Sequence, residues 1–256
     1  MKAKGSLAGR TALVTGSGRN IGKAIALAFA REGASVVVNG HRDRAAIEAV
    51  AEEIRAMGGK ALAVMADVGD AAAVEKMIRT AERELAPVDI LVSNVSVRKK
   101  QPLLEISVED WDRTITTNLS ASFYLARNVL GGMKSRGFGR IIHISGIDGF
   151  SGHVPDRAHN ISCKAAVHGL AKAISIEFAG FGITANTVSP GAIDTERDWT
   201  QYTEPAVWRA TRMQQIPVKK IGRVDDIANA CVYLAADSGS FITGQVIHVN
   251  GGQYMV

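Results

Sequence analysis

The run Thr15-Gly16-Ser17-Gly18-Arg19-Asn20-Ile21-Gly22 carries the most legible chemistry in this chain. It joins a short apolar run to an amphipathic stretch, so it reads as the loop between a first strand and a first helix. Glycines at such a junction permit a tight turn, close backbone approach to a pyrophosphate and tight packing of helix on strand. The helix N-terminus adds free N–H groups and the positive end of a dipole. The expected ligand is a dinucleotide, held at its phosphates by Gly16, Ser17, Arg19, Asn20, Ile21 and Gly22. Asn20 interrupts the glycine pattern, but Asn tolerates left-handed backbone better than most residues. Binding is expected to survive, with the Asn20 side chain pointing away from the dinucleotide.

Further on, Asn39-Gly40-His41-Arg42-Asp43 follows a second apolar run. An NAD site usually places a carboxylate here to hold the ribose 2′-hydroxyl. Gly40 occupies that place, and His41 and Arg42 follow it. Arg19 can approach the same pocket. A guanidinium suits a 2′-phosphate, so NADP(H) is favoured over NAD(H); an inward-turned Asp43 would reverse the choice.

These residues need a scaffold, and the pattern supplies one. Short apolar runs over residues 11–15, 36–38, 61–66, 90–92, 141–144, 184–188 and 246–249 read as strands. Between them, stripes such as Ile21/Ile25/Ala28/Phe29, Ile47/Val50/Ile54 and Val74/Met77/Ile78/Ala81/Leu85 fall at helical spacing. Long helices are expected near 108–135, 162–179 and 225–236. The alternation predicts a single α/β, doubly wound (Rossmann) domain over residues 1–256, with a mainly parallel seven-stranded sheet.

Composition adds bounds. The chain has 256 residues, 46% hydrophobic and 21% charged, with a net charge of +5. That is ordinary for a soluble globular protein. The basic run Arg98-Lys99-Lys100 reads as a solvated loop, without the stripe that nucleic acid requires. No signal peptide and no membrane span is visible. Cys163 and Cys231 lack metal-ligand spacing and read as buried free thiols of a cytoplasmic protein.

Lys164 begins a second stretch of interest, an amphipathic helix between the apolar run Ile141-Ile142-His143-Ile144-Ser145 and the turn Ser189-Pro190-Gly191. With the glycine loop, this arrangement resembles the short-chain dehydrogenase/reductase family over nearly the whole chain, in particular its 3-oxoacyl-ACP-reductase-like members. The loop matches the family's Thr-Gly-x-x-x-Gly-x-Gly except at Asn20. Asp67-Val68 matches the pair that touches adenine. Ser93-Asn94-Val95-Ser96 replaces Asn-Asn-Ala-Gly, with Asn94 retained. Pro190-Gly191-Ala192-Ile193-Asp194-Thr195 matches the loop that holds the nicotinamide carboxamide, with Ile193 and Thr195 as contacts. The last helix and strand are matched by Asp225-Asp226-Ile227-Ala228, Ile242-Thr243-Gly244-Gln245 and Asn250-Gly251-Gly252.

The resemblance implies a catalytic set of four. Asn118 fits the Asn that anchors a relay water, and Lys164 fits the Lys that depresses a Tyr pKa and holds the nicotinamide ribose. The Tyr position is Asn160. An amide exchanges no proton near neutral pH, although it can donate a hydrogen bond to an oxyanion. The Ser position is Gly146, with Ser145 beside it as a substitute. For the missing proton donor, His153 and Asp156 lie in a preceding loop and Tyr202 is an external option. His159, if helical, lies about 140° round the axis from Lys164, Ser162 points to the opposite side, and His143 is expected to be half-buried packing.

Residues 196–216 are expected to form a substrate lid. There Trp199, Tyr202 and Trp208 could wall an apolar pocket, and Arg197, Arg209 and Arg212 could meet a carboxylate or phosphate. The implied function is an NAD(P)-dependent oxidoreductase acting on a carbonyl/alcohol pair of a small molecule, through an atypical active site and without a metal. A non-redox lyase, dehydratase or isomerase, or a catalytically silent dinucleotide-binding protein, is the alternative. The family likeness also implies a homodimer or homotetramer.

Overall fold

Branched apolar residues crowd the short runs, and helix formers fill the longer amphipathic stretches, so each strand must be covered by a helix before the next begins. The computed structural model describes residues 5–151, 155–196, 199–201 and 204–255. Its strands are β1 (Thr11–Val14), β2 (Ser35–Gly40), β3 (Ala61–Met65), β4 (Ile90–Ser93), β5 (Gly139–Ile144), β6 (Ile183–Pro190) and β7 (Val246–Val249). They form one sheet in the order β3-β2-β1-β4-β5-β6-β7. Every pairing is parallel, where the sequence predicts a mainly parallel sheet.

The helices are α1 (Asn20–Arg31), α2 (Arg44–Ala56), α3 (Ala71–Glu84), α4 (Val108–Ile115), α5 (Ala121–Arg136), α6 (Ala158–Phe178), α7 (Pro205–Gln215) and α8 (Val224–Ala235). One face of the sheet is covered by α1, α2 and α8, whose Ile25, Phe29, Ile47, Ile54, Ile227 and Leu234 meet Val14, Val38 and Val92. The other is covered by α3, α5 and α6, whose Met77, Leu125, Val129, Met133 and Ile174 meet Leu13, Leu91 and Ile141. Each such fully buried side chain contributes about 1.5–3 kcal/mol. Sequence order reverses between β1 and β4, whose ends align at Val14 and Val92. The loops after β1, β4, β5 and β6 therefore open at one sheet edge, around a topological switch point where ligands of such folds bind.

Two helices depart from the sequence reading. The helix expected over 108–135 is interrupted by a π-helical turn, Thr116–Ser120, between α4 and α5. A π turn inserts a residue without breaking the apolar stripe, so periodicity hides it, and such turns often mark functional sites. The helix expected from Ser162 begins four residues earlier, at Ala158. Ser162 resembles an N-cap, but its hydroxyl donates to the Ala158 carbonyl at 2.9 Å, a bond made inside a helix.

Candidate active site

The loop after β1 is braced from two sides. Gly16 takes φ +61° and Asn20 takes φ +52°, so Asn20 adopts the left-handed backbone expected of it. A Cβ on Gly22 would fall 2.3 Å from the Gly16 carbonyl oxygen and 2.7 Å from Asn94 Nδ2, so only glycine fits. Asn94 donates from Nδ2 to the carbonyls of Thr15 and Gly16 at 3.0 and 3.2 Å. Ser17 is fully buried and turned inward. Its hydroxyl donates to the Val14 carbonyl at 2.7 Å and accepts from the Asn39 amide at 3.0 Å. It therefore holds the loop from beneath and does not line the cleft. The Asn20 side chain clasps the backbone of Glu196, accepting from its N–H at 2.9 Å and donating to its carbonyl at 3.1 Å.

At the end of β2, His41 Nδ1 lies 3.6 Å from Asp67 Oδ2, both side chains half exposed. Asp67 also accepts from the Gly69 amide at 2.9 Å. Val68, next to it, is buried. Asp43 does not turn inward: its carboxylate accepts from the Ala46 amide at 3.0 Å and caps α2. Arg42 and Arg19 are exposed.

Ser145, Asn160 and Lys164 line a cleft of about 900 Å³ that also includes Gly16, Arg19, Asn20, Ile21, Gly22, Asn94, Pro190, Gly191, Ile193 and Thr195, whereas Asn118, His41, Arg42, Asp67 and Val68 are not in its wall. Lys164 sits in the second turn of α6, where its Nζ donates to the Ile144 carbonyl at 2.8 Å. Burial, with the positive charge of Arg98 added, holds its pKa down to about 8. Asn160, one turn before, is buried against the loop after β4. Its Nδ2 donates to Ser96 Oγ at 3.3 Å and to the Val97 carbonyl at 3.0 Å. Asn118, in the π turn, grips the same peptide, accepting from the Val97 amide at 2.7 Å and donating to its carbonyl at 2.9 Å.

Ser145 borders the cleft, but its hydroxyl meets His168 Nε2 at 2.9 Å in a buried pair. At Gly146 the backbone is extended (φ 173°), and an added Cβ would meet only the Pro190 carbonyl oxygen, at 3.9 Å. His159 lies in α6, fully buried, and neither of its ring nitrogens has a hydrogen-bond partner. His143, expected half-buried, is fully buried, and desolvation pushes its pKa down to about 4. His168 is likewise pushed down to about 4, by burial first and by His248 and Lys164 next.

In the segment after β6, buried Trp208 lines the cleft and packs edge-on against Trp199, ring centroids 5.9 Å apart. Arg212 lines the cleft, whereas Arg209 is engaged by Asp194 at 2.8 and 3.1 Å. His153, Arg197 and Tyr202 lie outside the described residues. Three cleft residues were not anticipated. Arg98 and Lys100 belong to the run read as a solvated loop, in which Lys99 alone turns away to Asp110, at 2.7 Å. Arg157 is 3% exposed and lines the cleft too. Its spacing of three residues from Asn160, one helical turn, was the available signal.

The fold and this cleft define a dinucleotide-binding α/β oxidoreductase architecture, and comparison with known proteins gives it a family. A family model described as Enoyl-(Acyl carrier protein) reductase matches residues 16–253. The chain is 40% identical to the 3-oxoacyl-[acyl-carrier-protein] reductase FabG of Staphylococcus epidermidis, covering 96% of this chain and 99% of that protein. It is 37% identical to the Escherichia coli FabG, covering 97% and 98%. A crystal structure of a gluconate 5-dehydrogenase from Burkholderia cenocepacia, in complex with NADP and tartrate, superposes with a TM-score of 0.89 at 32% identity, covering 96% of each chain. A dehydrogenase/reductase from Sinorhizobium meliloti gives 0.89 at 35%, covering 97% and 96%. The chain belongs to the short-chain dehydrogenase/reductase family. Among the described residues no helix is long and apolar enough to cross a membrane.

Proposed function

We propose that this chain is an NADP(H)-dependent oxidoreductase interconverting a carbonyl and an alcohol, with Asn160 where its family carries a tyrosine. The carrying observation is that the glycine loop braced by Asn94 and the half-buried Lys164 line one cleft. The cradle fits a dinucleotide: a Cβ at Gly22 would collide with the Gly16 carbonyl and force the loop out of shape, and the N-terminus of α1 lies at the cleft. Gly16, Arg19, Ile21 and Gly22 would hold the pyrophosphate, Asp67 and Val68 the adenine, and Ile193 and Thr195 the nicotinamide. The bound cofactor supplies the hydride. His41 and Arg42 support a 2′-phosphate, because Asp43 is committed to α2 and no acid replaces Gly40. The family member from Burkholderia cenocepacia holds NADP.

The proton is the unusual part. Both Nδ2 hydrogens of Asn160 are engaged by Ser96 and Val97, and Gly146 offers no hydroxyl. Among the described residues, Lys164 is the proton-carrying group that stands at the candidate catalytic position of the cleft. With its pKa near 8 it can exchange a proton through water in the working range. The described part of the segment after β6, with Trp208 and Arg212 in the cleft wall, serves as the substrate lid of the single domain, and the family likeness supports a cytoplasmic homodimer or homotetramer. Titrating the protein with NADPH and NADH by nicotinamide fluorescence, then adding a panel of carbonyl compounds, tests this reading. The expected result is at least tenfold tighter NADPH binding and measurable NADPH oxidation; absence of NADPH binding would remove it.

A further inference from the structure

Among the described residues, six cationic side chains line the cleft, Arg19, Arg98, Lys100, Arg157, Lys164 and Arg212, against two carboxylates, Asp148 and Glu196. Arg19 and Glu196 stand at the phosphate-loop end, where Asn20 clasps Glu196. The other five cations come from four places: Arg98 and Lys100 from the loop after β4, Arg157 from the entry to α6, Lys164 from α6 and Arg212 from α7. The Gln101 amide donates to the Asp156 carbonyl at 2.8 Å and ties the first two of these elements together. Asp148 pairs with Arg157 at 3.9 Å between Oδ2 and Nη1, which leaves the cations in excess among the described lining residues. A walled cleft with such a surplus of one sign focuses a positive potential on its interior. Guanidinium groups at its wall match the planar, bidentate geometry of a carboxylate or phosphate.

We infer that the substrate of this cleft carries an oxyanion, a carboxylate or a phosphate, which docks on Arg157 with Arg98 and Arg212 beside it. The inference rests on the reading of this cleft as the substrate site of an oxidoreductase. Arg157 lies one helical turn before Asn160, so the anion is held one turn from the position where the family keeps its proton donor. The reacting carbon then stands a short distance from the charged group, which selects small, hydrophilic acids over extended neutral carbonyl compounds.

Calorimetric titration at constant ionic strength tests this on protein saturated with NADP⁺ and on cofactor-free protein. Tartrate is compared with threitol, its neutral counterpart, and glycerol 3-phosphate with glycerol. The expected result is that at least one anion binds tenfold or more tighter than its neutral partner; which of the two does so separates carboxylate from phosphate. R98Q and R212Q, at exposed or half-exposed positions, are expected to weaken that anion fivefold or more each, and R157Q more strongly, with NADP⁺ affinity unchanged. Should R157Q fail to fold, the other two variants still decide. Equal binding of anion and neutral partner, no binding of either anion at millimolar concentration, or indifference to R98Q and R212Q would overturn the inference. Failure of the cofactor reading is seen separately, as loss of the NADP⁺ titration itself.

Discussion

Asn118 and Asn160 donate to the same atom, the carbonyl oxygen of Val97, at 2.9 and 3.0 Å. One amide comes from a π turn and the other from the first turn of α6. Together they clamp the loop after β4 against the helix that carries Lys164. A tyrosine at position 160 would leave Asn118 to hold this peptide alone, by two bonds. The N160Y/G146S variant is therefore expected to fold and to gain carbonyl reductase activity. The new phenol would start from a position that lines the cleft one turn before Lys164, and the extended Gly146 has room for a hydroxymethyl group. A positioned acid is worth about 10²–10⁴-fold, so a rise of about 100-fold in kcat/KM over the parent protein is expected with NADPH. A folded, NADPH-binding variant no faster than its parent would show that the site has diverged beyond these two positions.

Asn20 and Glu196 form the second unusual pair, and its energetics can be separated. The two bonds to the Glu196 peptide contribute about 1 kcal/mol each, while the left-handed backbone at Asn20 costs about 1 kcal/mol for a residue with a Cβ. N20G loses the bonds but relieves the strain, so it should cost about 1 kcal/mol. N20A keeps the strain and loses both bonds, so it should cost about 2–3 kcal/mol. Urea denaturation gives both values. Hydrogen exchange at the Glu196 amide should be faster in both variants, and an unchanged rate would show that the clasp is not formed in solution.

The glycine loop, the sheet and Lys164 were legible because their signals are local: spacing, apolar periodicity and strand–helix alternation. What surrounds Asn160 was not. Its partners, Ser96 and Val97, lie 64 and 63 residues away in sequence, and only the parallel arrangement of β4 and β5 brings them together. Ser17 is the converse case. Its place in the loop suggests a phosphate contact, yet its hydroxyl serves β1 and β2. Arg157 was passed over because Ser162 imitates a helix start and leaves Arg157 in an apparent loop. A motif gives a residue's position along the chain, whereas the direction of its side chain depends on tertiary contacts.

Acid sensitivity follows from the buried imidazoles. His143 and His168 have folded-state pKa values lowered from 6.5 to about 4. Between those values the unfolded chain binds more protons than the folded one, so stability rises with pH across that window and falls as pH drops through it. For His143 alone the loss between pH 7 and pH 5 is about 2 kcal/mol. Urea denaturation of the parent and of H143L at the two pH values is the check. The difference between pH 7 and pH 5 is expected to shrink by about 2 kcal/mol in H143L, and an unchanged difference would place the acid sensitivity elsewhere.

Cofactor choice turns on the residues at the end of β2. Arg42 is exposed beside the end of β2, and Asp43, the carboxylate that could have taken a ribose hydroxyl, is spent on the Ala46 amide. Removing the guanidinium with R42A should therefore weaken NADPH at least tenfold, about 1.4 kcal/mol, and leave NADH nearly unchanged. The obvious converse, an acid at position 40, meets a steric barrier: a Cβ on Gly40 would lie 2.7 Å from Ile47 Cγ2. G40D alone is accordingly expected to cost stability without conferring NADH binding, because α2 would have to move to admit the side chain. G40D/I47A removes the methyl in the way and should recover NADH affinity at the expense of core packing. Titration of the four proteins with both nucleotides decides the matter, and preference for NADPH that survives R42A would transfer the 2′-phosphate contact to Arg19 or His41.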